Sequence, residues 1–77
     1  MISKEKAISI AKKQMPSKGY HVDNAVLKKN VWYIGLSKNG RGFEVEINAR
    51  TGRVIGGGGG GWKKYNRIRY WISTKNL

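Results

Sequence analysis

The chain has 77 residues, 16 Lys+Arg against 4 Asp+Glu, a formal net charge of +12 and no cysteine. A chain this short holds one small domain. The missing thiols exclude a disulfide staple and a thiolate metal site, which leaves a single apolar core to hold the fold. So large a basic excess works against compactness and selects for anionic partners such as nucleic acid, a membrane surface or a cell-envelope polymer.

The stretch from Ser3 to Gln14 predicts an amphipathic helix. Ser3 can cap the orphan N–H groups, and Glu5 complements the dipole of the first turn. Ala7, Ile8, Ala11 and Met15 fall in one stripe with Ile10 at its edge, and Lys6, Ser9, Lys12 and Lys13 take the other side. Pro16 and Gly19 end it. The opening "MISKEKAISIAKKQM" has lysines every few residues and no apolar run, so no secretory signal is expected. The chain then reads as cytosolic, as exported without a leader, or as a mature form, and the charge favours a secreted or envelope location.

Strands follow. Val22–Lys28 is a weak candidate, and "KKN" offers a turn after it. In Val31–Leu36, Trp32, Ile34 and Leu36 alternate onto one face against Val31, Tyr33 and Gly35 on the other. Asn39-Gly40 is the strongest short hairpin signal. Phe43, Val45 and Ile47 then point one way while Glu44 and Glu46 point to water. "NARTG" makes a further turn, and Arg53–Ile55 begins another strand. The expected core is Ala7, Ile8, Ala11 and Met15 of the helix with Val26, Trp32, Ile34, Leu36, Phe43, Val45, Ile47 and Val54 of the sheet.

After Ile55 come six glycines, Gly56 to Gly61. They have no side chains to pack and maximal backbone freedom, so residues 56–61 read as a linker. The run lacks the Lys-Ser/Thr pair and helix start of a phosphate loop. Beyond it, residues 62–77 form a basic aromatic arm. Residues 56–77 carry five Lys+Arg and no acid, and hold two of the three tryptophans. Trp62, Lys63, Lys64, Tyr65, Arg67, Arg69, Tyr70 and Trp71 are the candidate residues for an anionic surface, with rings at the headgroup level and cations drawn to the charge. Within the arm, Arg67 and Arg69 alternate with Ile68, Tyr70 and Ile72. That pattern also fits a further C-terminal strand, in which case the glycines are a connecting loop.

Catalytic chemistry is not expected. His21 is the single histidine, there is no cysteine nucleophile, and the acids are Glu5, Asp23, Glu44 and Glu46. Glu44 and Glu46 lie two apart on an exposed strand face, which suits solubility and cross-strand pairing better than acid/base work in a pocket. His21 with Asp23 falls short of a metal site. No cofactor or metal is expected.

Three stretches match a known pattern: Lys6-Ala7-Ile8 with Ala11 on the helix, Phe43-Glu44-Val45-Glu46-Ile47 on a strand, and Asn48-Ala49-Arg50-Thr51-Gly52-Arg53-Val54-Ile55 at the closing turn. Over roughly residues 2–55 the chain resembles the PepSY domain, with Asn48 where the pattern carries an acid. The resemblance implies a helix packed on a small antiparallel sheet and a non-catalytic role in inhibiting or regulating peptidases, usually outside the cytoplasm.

The expectation is therefore an α+β protein. One N-terminal helix packs on an antiparallel meander in a domain spanning 1–55, followed by the 56–61 linker and the 62–77 arm. The leading functional expectation is a non-enzymatic cationic protein that binds anionic lipid or cell-envelope polymer, in the manner of a leaderless bacteriocin-like antimicrobial. The alternatives are a PepSY-type peptidase inhibitor and a nucleic-acid-binding protein whose arm stacks on bases.

Overall fold

The computed structural model describes residues 1–60. Helix α1 (Lys4–Lys13) begins at Ser3, whose Oγ accepts the Lys6 amide at 3.0 Å, with Glu5 in the first turn and Lys12 and Lys13 in the last. Its last turn tightens: the Gln14 amide donates to the Ala11 carbonyl and that of Met15 to Lys12. Pro16 follows directly.

Four strands come next: β1 (His21–Lys28), β2 (Val31–Lys38), β3 (Arg41–Asn48) and β4 (Val54–Gly60). They pair antiparallel in chain order, the expected meander. Two tight turns set the register. Lys29 and Asn30 have φ of 50° and 64°, and Asn39 and Gly40 have 55° and 80°. Two successive positive φ values give the twist that closes a two-residue hairpin. Asn39-Gly40 suits this well. Lys29 adopts the same backbone without that advantage, which is why its turn is the fainter in sequence.

Register then sorts the side chains. Trp32 faces Ile47, Ile34 faces Val45, and Leu36 faces Phe43, all on the side covered by α1. Ala7 and Ala11 are fully buried against this row. Their small side chains let the helix backbone approach the sheet, where Ile34, Leu36 and Ile47 are the largest fully buried groups. Ile8, Ile10 and Met15 seal the margins of the layer.

Three core expectations change. Val26 is 51% exposed because β1 bulges between Val22 and Asn24. The extra residue, Asp23, exchanges the faces, so Val22 and Ala25 pack on the core and Val26 points away. Phe43 is half-buried, edge-on to Tyr20 at 5.7 Å. Val54 pairs with Ile47 on the α1 side yet stays 41% exposed, beside a groove it shares with Met15. Ala49, absent from the expected core, is fully buried. Its amide donates to the Asn30 carbonyl (2.8 Å) and its own carbonyl accepts the Ile2 amide (2.7 Å).

The glycine run is the main correction. Gly56–Gly60, expected as a linker, are strand residues hydrogen-bonded to β3: Gly56 faces Glu46, Gly58 faces Glu44 and Gly60 faces Gly42. The boundary expected at Ile55 falls inside β4. Freedom alone predicts a joint, but neighbouring backbone can also require glycine. Gly57 has φ +157°, and a Cβ there would lie 2.6 Å from the Glu44 carbonyl oxygen. Gly61, the arm 62–77 and the possible strand within it lie outside the described residues.

Candidate functional site

One face of the sheet carries α1. Among the described residues, no element covers the other. The register places on this open face Asn24 and Val26 of β1, Tyr33 and Gly35 of β2, Glu44 and Glu46 of β3, and Gly56 and Gly58 of β4.

The face is flat because glycine flanks its carboxylates. Glu44 stands between Gly35 and Gly58, and Glu46 between Tyr33 and Gly56. Each neighbouring side chain leans into the space that a Cβ would occupy. The Asn24 amide oxygen would meet a Cβ on Gly35 at 2.6 Å, and a carboxylate oxygen of Glu46 would meet one on Gly56 at 3.0 Å. The β1 end of the face is apolar and basic, with a shallow pocket lined by Val26, Lys28, Lys29 and Tyr33. At the far end of β2, the Ser37 hydroxyl donates to Asp23 Oδ1 at 3.0 Å. That bond gives Asp23 a structural partner beside the bulge it creates.

Such a surface can bind an extended or flat partner through exposed apolar groups, carboxylate acceptors and lysines. Among the described residues there is no group of three or more metal-ligating side chains, and no helix long and apolar enough to cross a membrane.

The turn from β3 to β4 is built from the stretch that carries the closing motif. Asn48 Oδ1 accepts the amides of Arg50 (2.8 Å) and Thr51 (3.1 Å), and the Asn48 amide donates to the Arg53 carbonyl at 2.8 Å. An asparagine oxygen fills the acceptor role a carboxylate would play there. Gly52 takes φ +80°. A second anchor lies at the opposite end: Lys38 Nζ donates to Ser17 Oγ and to the Lys18 carbonyl, and sits 5.3 Å from the centre of the Tyr20 ring.

The eight residues expected to bind an anionic surface, Trp62 through Trp71, lie outside the described residues. Of the chemistry-bearing residues within them, Glu44 and Glu46 are brought together on the open face, while His21 stands apart across from Ser37. The glycine floor was missed because strand signals in sequence come from side chains, and β4 has hardly any. The legible clue was adjacency: the run follows Val54-Ile55 without a turn residue.

The family model described as PepSY, peptidase propeptide and YPEB domain, matches residues 1–57. Comparison with curated proteins and with solved structures finds no match.

Proposed function

The chain belongs to the PepSY family, and from that premise we propose that it is a non-catalytic binding module that inhibits or otherwise regulates a peptidase. The observation that carries this reading is the extent of the match, which takes in α1, all of β1 to β3 and the start of β4. The open face of the sheet supports it as the docking surface, since the exposed Val26 shares that face with half-buried Tyr33, Glu44 and Glu46. Titration of the full chain against a panel of secreted metallopeptidases tests it. At least one peptidase should lose activity saturably while the chain stays intact, and Val26→Asp should weaken that inhibition. A chain that is only digested, with no inhibition across the panel, overturns it.

A second reading rests on the five Lys+Arg and the absence of acid in residues 56–77. In it the arm holds the module at an anionic surface, through Trp62, Lys63, Lys64, Tyr65, Arg67, Arg69, Tyr70 and Trp71. Each cation near such a surface contributes about 1 kcal/mol. Binding to anionic vesicles that exceeds binding to zwitterionic ones, and that weakens with salt, is the expected result. Equal binding to both removes this reading and leaves the first untouched.

A further inference from the structure

β4 is a strand that almost lacks side chains, and this leaves two gaps. On the α1 side, Gly57 stands beside Val45 where the apolar row of β3 should continue. What remains is a groove of about 140 Å³ walled by Met15, Val45 and Val54, with glycine backbone as its outer boundary. Along its outer edge, β4 presents a row of backbone groups that no described residue pairs. Edge strands are ordinarily guarded by charge, proline or a covering segment. Gly56–Gly60 has neither charge nor proline.

We propose that residues 67–73 of this same chain form a fifth strand on that edge, antiparallel to β4. This inference is independent of the peptidase reading. β4 ends at Gly60, and residues 62–65 supply a hairpin loop of ordinary length that places Arg67 opposite Gly60. The following pairs are Ile68 with Gly59, Arg69 with Gly58, Tyr70 with Gly57 and Trp71 with Gly56. Parity then decides the faces. Gly57 and Gly59 belong to the α1 side, so Ile68 and Tyr70 enter the apolar groove. Gly56 and Gly58 belong to the open side, so Arg69 and Trp71 extend that face beyond Glu44 and Glu46. A one-residue slip would put the arginines into the groove. The segment also equals β4 in length, and its Ile, Tyr, Trp and Thr content suits a strand.

The glycines take on a role under this assignment. A strand without side chains lets the next one bring large groups over it, as a tyrosine on a neighbouring strand covers a glycine. Of the eight arm residues expected on an anionic surface, Tyr70 becomes a packing residue, and Arg67, Arg69 and Trp71 stay outward.

The test is solution NMR on the full chain. The Tyr70 ring should give NOEs to the Met15 and Val45 methyl groups, unchanged on tenfold dilution, and the Gly56–Gly60 stretch should include amides protected from exchange on both of its edges. Tyr70→Asp should speed exchange along the outer edge more than tenfold, whereas Arg69→Ala should change it less than twofold. If the Tyr70→Asp chain does not fold, the unmodified chain decides alone. The proposal is overturned if the Tyr70 ring contacts neither Met15 nor Val45. Contacts that vanish on dilution also overturn it and assign the edge to a second copy.

Discussion

Gly57 passes so close to Glu44 that a Cβ on the glycine would stand 2.6 Å from the glutamate's carbonyl oxygen. Main chain cannot swing aside as a side chain does, and φ at this glycine is +157°. Gly57→Ala should therefore cost about 1–3 kcal/mol. Gly56→Ala meets only the end of the flexible Glu46 side chain and should cost less than about 0.5 kcal/mol. Urea denaturation of the two variants checks the difference, and equal losses would mean β4 is not held in this register.

Asn48 holds the β3–β4 turn through two amides at one side-chain oxygen. Asn48→Asp keeps that acceptor, so its stability should match the parent within about 0.5 kcal/mol. Asn48→Ala leaves both amides without it and should cost about 1–2 kcal/mol, as at a helix cap. Thermal unfolding by circular dichroism separates the two cases.

Trp32 donates its indole N–H to the Ile2 carbonyl at 3.2 Å. Trp32→Phe retains most of the apolar bulk and loses the donor, for a cost of about 1–2 kcal/mol once the smaller ring is included. Trp32→Ala opens a cavity and should cost about 3–5 kcal/mol. Chemical denaturation with linear extrapolation gives both values.

The bulge at Asp23 makes a prediction that the alternating pattern alone would reverse. Val26→Thr should change stability by less than about 0.5 kcal/mol, because the side chain points away from α1 and is 51% exposed. Ile34→Ala, one strand away and fully buried, should cost about 2–5 kcal/mol. A large loss at Val26 would place it back in the core.

These contrasts show where sequence speaks. The cap at Ser3, the stripe of Ala7 and Ala11, the alternation through Trp32, Ile34 and Leu36 and the turn at Asn39-Gly40 are all local chemistry, and each was legible. The bulge at Asp23 was not, because nothing in one strand's composition says where its partner's hydrogen bonds skip a residue. Ala49 hid in a turn, its burial set by contact with Ile2 far away in the chain. β4 was the hardest to see, since pairing with β3 is a property of backbone and the glycines supply no pattern. The open face was half visible: Glu44 and Glu46 alternate outward, but their neighbours Tyr33, Gly35, Gly56 and Gly58 belong to other strands.

Ile2 is tied twice, its amide to Ala49 and its carbonyl to Trp32. Every strand pairs with its neighbour in sequence, so the sheet can zip through short closures, while this knot joins positions 47 residues apart (49 − 2). Long closures come late in folding, after local pairings have shortened the remaining loop. Weakening the knot should then barely slow folding and should speed unfolding. The expected chevron for Trp32→Phe has an unchanged folding limb and a raised unfolding limb. The first residues would act as a latch on the folded molecule's lifetime, with little part in how quickly it forms.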